Sequence, residues 1–376
     1  MRILIVSTEF PPLIGGIGTF AYNLARGLQE VGVSVHMLTS VGAGGKEFIR
    51  DVPTTRALPL LNRRFLKIVP LLSAAVWICL RDRPDKLLAM TWTHEGIVAY
   101  LVKKVLGVNY ALIAHGGEIL RHQQSRLRRA LMLRILNGAE AVVANSLFTW
   151  RLVVALGLDP GVVEVVNPPI ALPNLPGILD TTEVDEKFEL KGKRVILTAA
   201  RLVRRKGHTQ VIRVLSELRE RYPNLVYVMT GDGEYRRELE ALAERYGVAD
   251  RVRITGYVSQ EELQQLYSRA EVYISPSLEE EGDVEGFGIA FVEASAYGKP
   301  VIAGRSGGVT DAVAHERTGF LVDPNDVGEI KRMLVALLDE KALRERLAHA
   351  ARTWALTKFG LKSQSEKLKE VILARR

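Results

Sequence analysis

The feature that most constrains this chain is a texture that runs its course twice. Short apolar, strand-like runs alternate with helical stretches in two series, and a proline-rich interval parts them. In the first series the runs are 2–7, 33–39, 86–90, 109–114 and 140–144, with a helical stretch at 18–31. In the second they are 193–199, 225–230, 252–255, 271–274 and 300–303, with helices near 207–222, 234–247, 260–269, 287–298 and 326–350. Such alternation calls for a parallel sheet with crossover helices in each half. Around 159–180 five prolines from Pro160 to Pro176, Asn167-Pro168-Pro169 among them, break the periodicity and read as a linker. The expected domains are therefore 1–168 and 169–353, with a basic helical tail, 354–376, crossing back to the first. A chain of 376 residues also exceeds one core at about 100–200 residues per domain, and two domains imply a cleft.

Composition excludes several classes. At 47% hydrophobic and 25% charged residues the chain is ordinary globular material, neither disordered nor fibrous. The single cysteine, Cys79, rules out an intramolecular disulfide and a cysteine-rich metal site; it reads as a buried apolar thiol in a reducing, cytoplasmic compartment. The opening MRILIVSTEF meets Glu9 and Pro11-Pro12 too soon for a secretory apolar region and reads as a first strand. The longest apolar run, Ile68 to Leu80, is 13 residues and contains Pro70 and Ser73, short of the roughly 18–20 a membrane span needs. The net charge of +8 suits nucleic acid, an anionic lipid surface or a phosphorylated ligand, and does not choose among them.

Three stretches carry chemistry. Pro11-Pro12-Leu13-Ile14-Gly15-Gly16-Ile17-Gly18-Thr19 lies between the first strand and first helix. Glycines there admit a ligand to the backbone, and a helix start offers N–H groups to an anion, so Gly15 and Gly16 are phosphate candidates; a glycine-rich turn is also ordinary loop chemistry. A dinucleotide reading lacks its acid, because the second strand ends His36-Met37-Leu38-Thr39-Ser40. In the second half, the loop from Ala199 to Gly207 sets Arg201 and Lys206 between a strand and a helix. A bidentate guanidinium beside a mobile ammonium suits a diphosphate and the charge that grows on it as it departs, whereas Arg204 and Arg205 read as solvated surface charges. From Pro276 to Ala294 a loop becomes a helix, with Glu285 before it and Glu293 within it. Glycines between the two acids leave helix-start amides free for hydroxyl or phosphate oxygens. A simple cap would account for Glu285 but not for Glu293, which sits among Phe291, Val292 and Ala294 and needs a partner there.

Glu285 and Glu293, with seven residues between them, and the Arg201/Lys206 pair resemble the retaining glycosyltransferases of family four. The resemblance covers nearly the whole chain. Its further pieces follow in order: Gly15-Gly16, His115-Gly116-Gly117-Glu118, Asn145-Ser146, Gly231-Asp232-Gly233-Glu234, Gly256-Tyr257-Val258, Ser306-Gly307-Gly308 and Thr318-Gly319-Phe320-Leu321-Val322. It implies an α/β chain of the GT-B fold, two Rossmann-like doubly wound domains facing each other across a deep cleft. It also implies that Glu293 binds ribose hydroxyls, Arg201 and Lys206 the diphosphate, and Gly15 and Gly16 a phosphate from the opposite domain. Glu285, with the amides of Phe287, Gly288 and Ile289, would hold the donor sugar. Gly231 would lie at the nucleotide and Val258 at the base. His115 would stand at the reacting sugar, although an isolated histidine is more often structural, as the other six are read. The implied chemistry is a front-face, retaining substitution in which the leaving diphosphate helps remove the acceptor proton, unlike the two-carboxylate scheme of glycosidases. No cofactor and no metal is implied; Asp232 and Asp283 are lone acids.

Asp283-Val284-Glu285-Gly286 and the His115 segment tilt the donor towards GDP-mannose, as in mannosyltransferases acting on phosphatidylinositol mannosides. UDP-glucose and UDP-N-acetylglucosamine enzymes share the same core set. The acceptor is expected to be a hydroxyl of a glycan, glycolipid or lipid-linked molecule. Two first-half segments, 61–81 and 119–136, have no acid and mix basic with apolar residues, which suits peripheral contact with the inner face of an anionic membrane; a helix packed on its own domain is the plainer reading. A sugar-nucleotide epimerase shares fold class and ligand, and an inactive sugar binder shares the fold. Nucleic acid is not an expected partner, since no aromatic-basic platform is present.

Overall fold

The computed structural model describes residues 1–10, 15–40, 51–57, 68–171, 179–280 and 282–374. Pro11 to Ile14 of the glycine loop, residues 61–67 of the basic segment, Pro173 and Pro176 of the linker, and Glu281 lie outside the described residues. The chain divides into two compact units: Met1–Ala171 together with Lys358–Arg376, and Leu172–Thr357.

Unit 1 is built on one parallel sheet of β1 (Arg2–Ser7), β2 (Ser34–Ser40), β3 (Thr54–Ala57), β4 (Lys86–Ala89), β5 (Tyr110–Ala114), β6 (Ala141–Ala144) and β7 (Val163–Val165). Its strand order is β3-β2-β1-β4-β5-β6-β7. The crossovers are α1 (Gly16–Glu30), α2 (Ile68–Asp82), α3 (His94–Leu106), α4 (Gly117–Gln123), α5 (Arg126–Gly138) and α6 (Leu147–Ala155). Unit 2 repeats the plan with β8 (Arg194–Ala199), β9 (Leu225–Thr230), β10 (Val252–Gly256), β11 (Val272–Ser275), β12 (Val301–Gly304) and β13 (Gly319–Val322), ordered β10-β9-β8-β11-β12-β13. Its helices are α7 (Thr182–Lys187), α8 (His208–Glu217), α9 (Arg236–Arg245), α10 (Gln260–Arg269), α11 (Ile289–Ala296), α12 (Val309–Ala312), α13 (Val327–Asp339) and α14 (Lys341–Lys358). Central strands such as Ile3–Val6 and Val195–Leu197 are wholly buried, as parallel strands covered on both faces must be. Strand order reverses between β1 and β4 and again between β8 and β11, and crevices beyond the carboxyl ends at such switch points are where open α/β sheets take ligands.

The last helix, α15 (Leu361–Leu373), belongs to unit 1. Leu361, Gln364, Ser365, Leu368 and Ile372 form its buried stripe at helical spacing. It lies so close on α1 that a Cβ at Gly27 would come within 2.8 Å of the Leu361 carbonyl. Lys369 Nζ donates to the Val31 carbonyl (2.7 Å), and buried Lys86 Nζ donates to the Ile372 carbonyl (2.8 Å) while pairing with Glu140 (2.6 Å). Cys79 is buried in the core of this unit, where burial pushes its thiol up to about 11, so it is an inert apolar group.

Some sequence expectations are corrected. The 119–136 stretch is two helices, α4 and α5, because Ser125 turns to extended backbone (φ −101°, ψ 121°) between them. The expected helix 326–350 is likewise two, parted at Glu340. Strands β3, β7 and β13 are additional: Thr-Thr-Arg-Ala has no apolar run, Val-Glu-Val is three residues long, and β13 opens on a glycine. Among the described residues no helix is long and apolar enough to cross a membrane.

Candidate active site

β8 ends at Ala199, and the chain then makes a single 3-10 turn over Arg204–Lys206 before α8 starts at His208. Gly207 (φ 76°) permits this, since a Cβ there would strike the Pro276 carbonyl. The Leu278 amide donates to the Arg205 carbonyl (2.8 Å) and Ser275 Oγ to the Lys206 carbonyl (3.0 Å). The loops that leave β8 and β11 are thereby joined beside the switch point. Beneath them His208 is fully buried, with Nδ1 2.8 Å from the Tyr227 hydroxyl; burial pushes its pKa down to about 4, so it packs as a neutral ring.

Charge collects on Glu285. Lys206 Nζ donates to Glu285 Oε2, and Arg205 Nη1 donates to the same oxygen at 3.0 Å. Arg205 Nε lies 3.3 Å from Asp283 Oδ2, and Arg204 Nε 3.5 Å from Glu280 Oε1. Only 7% of Arg205 is exposed, so the expectation of a solvated surface charge fails for it; its guanidinium is buried against two acids. Arg204, by contrast, is exposed as expected. Burial works to raise the Glu285 carboxyl, but Lys206 and Arg205 outweigh it and hold its pKa down to about 2. The Glu285 carbonyl accepts from the Gly308 amide (2.8 Å), and the Gly307 amide donates to Glu279 Oε1 (3.1 Å), so Ser306-Gly307-Gly308 cradles the loop that carries the acid.

Gly288, at φ 90°, opens α11, where a Cβ would run into the Phe291 ring; Phe287 is buried beside it. The Phe291 amide closes the first turn on the Gly288 carbonyl (3.1 Å), so the amides from Gly288 to Ala290 are those a helix leaves without an internal acceptor. One turn further on, Glu293 Oε2 accepts from the Tyr267 hydroxyl of α10 at 2.9 Å. Burial raises the Glu293 pKa, and the Tyr267 bond works the other way. Tyr267 stacks on Tyr297 with centroids 5.4 Å apart. Tyr273 donates to the Ala199 carbonyl (3.1 Å), and burial, with the charges of Glu293 and Glu285, raises its pKa. Arg201 is exposed on the same loop as Lys206 and close enough to disfavour its charge. Gly231 (φ 121°) follows β9 and packs on the Ala200 backbone, its amide donating to the Gly256 carbonyl (2.8 Å), with half-buried Val258 just beyond. The strand ends of unit 2 thus assemble Arg201, Lys206, Gly231, Val258, Glu285, the helix-start amides and Glu293 in one neighbourhood.

In unit 1, Gly15 caps α1 in extended backbone and Gly16 is its exposed first residue. His115 follows β5, half-buried; its Nε2 lies 2.6 Å from the Met90 carbonyl, and its ring meets Phe20 edge-on (5.7 Å). Sequence reasoning missed Glu95. This 1% exposed acid accepts from the Thr8 amide (2.7 Å), the Thr8 hydroxyl (2.5 Å) and the Thr91 hydroxyl (2.6 Å), joining the loops after β1 and β4. In the sequence it is an acid in a first helical turn, which ordinarily needs only the helix dipole. Tyr267 and Asp283 were also missed, the one indistinguishable from a core aromatic, the other from a lone loop acid. Among the described residues no group of three or more His, Cys, Asp or Glu side chains is placed to hold a metal ion.

Residues 180–354 match the family model "Glycosyl transferases group 1" and residues 14–172 match "Glycosyltransferase Family 4". A GDP-mannose-dependent alpha-(1-6)-phosphatidylinositol monomannoside mannosyltransferase of Mycolicibacterium smegmatis is 34% identical over 275 residues, 70% of this chain and 69% of that protein. The chain belongs to glycosyltransferase family four. The Mycobacterium tuberculosis protein of the same description is 28% identical to this glycosyltransferase over 99% of this chain and 98% of its own. Among solved structures, Anabaena HepE in complex with UDP and glucose aligns at TM-score 0.84 and 19% identity over the whole of both chains. Sucrose-phosphate synthase from Thermosynechococcus elongatus aligns at 0.83 and 20%, covering 99% of this chain and 98% of the other. The two Rossmann-like units thus have the GT-B fold, and the enzyme transfers a sugar from a nucleotide-sugar donor.

Proposed function

We propose that this glycosyltransferase moves mannose from GDP-mannose to a hydroxyl of a lipid-linked or glycan acceptor, with retention at the anomeric carbon. The observation that carries the reading is the contact, at the switch point of unit 2, of Lys206 with Glu285, on the loop that leads into the helix bearing Glu293. In this assignment Arg201 and Lys206 hold the diphosphate, Glu293 the ribose hydroxyls, and Glu285 with the amides of Phe287, Gly288 and Ile289 the sugar. Gly231 and Val258 serve the nucleoside, Gly15 and Gly16 a phosphate oxygen, and His115 a hydroxyl of the reacting sugar. The bond from the anomeric carbon to the diphosphate breaks, the acceptor oxygen bonds to the same face, and its proton passes to the departing diphosphate. The two cations stabilise the charge that collects there. Glu285, ionised and committed to hydroxyls and cations, is neither acid nor nucleophile. The mannose preference leans on the mannosyltransferase relatives, which are more similar in sequence than the solved UDP complex, whose likeness bears on the fold alone.

The same reading puts the enzyme in the cytoplasm, peripherally on the inner face of the membrane. Six of the eight exposed large apolar side chains among the described residues, Val69, Trp77, Leu80, Val105, Leu127 and Leu131, stand on α2, α3 and α5. α3 packs against both other helices. The cations of these helices include Arg81, Lys104, Arg128 and Arg129, while their two acids are withdrawn, Asp82 pairing with Arg81 and Glu95 being buried. Apolar side chains ringed by cations suit an anionic lipid surface.

A thermal-shift screen of GDP, UDP, ADP and their sugars tests the donor, because a ligand at one hundred times its dissociation constant adds about 2.7 kcal/mol. GDP and GDP-mannose are expected to give the largest shift; a larger UDP shift would replace GDP-mannose by a UDP-sugar. A proton spectrum of the product reports the anomeric configuration, and an inverted product would refute retention. Release of an altered sugar nucleotide without acceptor would point to an epimerase. Flotation with phosphatidylglycerol vesicles should weaken in Trp77→Ser/Leu80→Ser and in Arg128→Glu/Arg129→Glu; unchanged flotation in both removes the membrane.

A further inference from the structure

Glu285 Oε2 receives two cations, and in the assignment above one of them is wanted elsewhere. Lys206 is to serve the diphosphate, yet its ammonium is hydrogen-bonded to Glu285. If it were the carboxylate's only partner, binding the donor would either strand a charge on a side chain that is 14% exposed or keep Lys206 away from the phosphates. The second cation is built differently. Arg205 is held by its own backbone, whose carbonyl accepts from Leu278, and by Asp283, which stands two residues before Glu285 on the same loop. Its guanidinium presents Nε to Asp283 at 3.3 Å and Nη1 to Glu285 at 3.0 Å, a two-direction grip that a lysine cannot reproduce. Both cations approach the same oxygen, Oε2.

We propose that Arg205, anchored by Asp283, is a positioning residue: it is the standing counter-ion of Glu285, and it releases Lys206 to the diphosphate when the donor binds. This rests on the assignment of Lys206 to the diphosphate and Glu285 to the sugar.

The test is a mutant cycle read by calorimetric titration of GDP, with UDP in parallel, on folded full-length protein. In Arg205→Gln the remaining carboxylate monopolises Lys206, and nucleoside diphosphate affinity should fall about thirty-fold. Adding Glu285→Gln abolishes the competitor for Lys206, so the double variant should return to within about three-fold of the parent affinity while turnover stays lost. A framework ion pair gives the opposite result, the double variant binding no better than Arg205→Gln, and that outcome overturns the proposal. Arg205→Lys keeps a charge in the core if the glutamine variant does not fold; it should lose about five-fold in affinity and be rescued by Glu285→Gln in the same way, and absence of rescue again overturns the proposal. Lys206→Ala separates the two readings. If it binds GDP and UDP as the parent does, the diphosphate assignment fails and takes the proposal with it. If it weakens binding while the Arg205 cycle shows no rescue, the assignment survives and the role of Arg205 does not.

Discussion

Each unit ties the loops at its switch point with a carboxylate, and the two carboxylates differ in what answers them. In unit 1 Glu95 joins the loops after β1 and β4 and is met by one amide and threonine hydroxyls, all neutral. In unit 2 Glu285 joins the loops after β8 and β11 and is met by Arg205 and Lys206. Neutral donors saturate Glu95 in a place 1% exposed, so it has nothing left to offer a ligand. Arg205 and Lys206 are balanced by Glu285 and Asp283, so the surplus positive charge on this loop is the exposed Arg201, and cations beside helix-start amides are a setting in which phosphate oxygens are welcome. Equal strand order therefore gives two crevices of like topology, and the side chains placed at them set what each can bind.

The sharpest way to break this contrast is to neutralise both acids. Glu285→Gln should lower kcat/KM by about a thousand-fold, on the order of 4 kcal/mol, because the proposed grip on the donor sugar goes. Glu95→Gln should leave calorimetric affinity for the nucleotide unchanged. Equal losses of nucleotide affinity would show that unit 1 also carries donor chemistry through its acid.

The buried histidine under the cationic loop of unit 2 comes next in size. The native state takes up the His208 proton only near pH 4, whereas the unfolded chain takes it up near 6.5. Its contribution is thus full above pH 6.5 and is lost as pH falls towards 4, by on the order of 3 kcal/mol. The difference between wild type and His208→Gln in urea unfolding should carry that slope across this window; a difference flat with pH would mean that the ring is not buried neutral.

In unit 1 the corresponding close fit is steric. Gly27→Ala should cost about 2 kcal/mol, because the new methyl group meets the Leu361 carbonyl and the Ser365 side chain of α15. Urea unfolding reads it, and nucleotide affinity should not move. An unchanged stability would mean that α15 is held less tightly on α1 than Lys86 and Lys369 indicate.

The central strands were legible because buried parallel strands are continuous apolar runs, and β1, β9 and the helix α10 have the bounds the pattern predicts. The edge strands β3, β7 and β13 were not, although the edge strand β10 was, since Thr-Thr-Arg-Ala draws its place from pairing with β2 and not from its own composition. Type and spacing singled out Glu285 and Lys206, which the fold brings into contact; they did not single out Arg205 or Tyr267, whose places depend on burial. Arg205 stands in a run of three cations, and only the fold reveals that the middle one points inward. Nothing local to Glu293 names Tyr267 as its partner, because the two are 26 residues apart and joined by tertiary packing.

The finest comparison pairs two tyrosine hydroxyls, one in each unit. Tyr110 donates to the Ile135 carbonyl in the core of unit 1, and Tyr267 donates to Glu293 in unit 2. Replacing either by phenylalanine removes one buried hydrogen bond, so each variant should lose about 1 kcal/mol in urea unfolding. Their effects on nucleotide affinity should part. Without the Tyr267 hydroxyl, Glu293 has lost the partner that offsets its burial, and its carboxyl moves further towards the neutral form. In the proposed assignment Glu293 accepts from two ribose hydroxyls, for which a protonated acid is the poorer acceptor, so Tyr267→Phe should weaken nucleotide binding by about five-fold at neutral pH. Raising the pH restores the ionised form, and the loss should shrink accordingly. Tyr110→Phe should show neither the loss nor its pH dependence, and a shared five-fold loss would mean that the two hydroxyls serve only the fold.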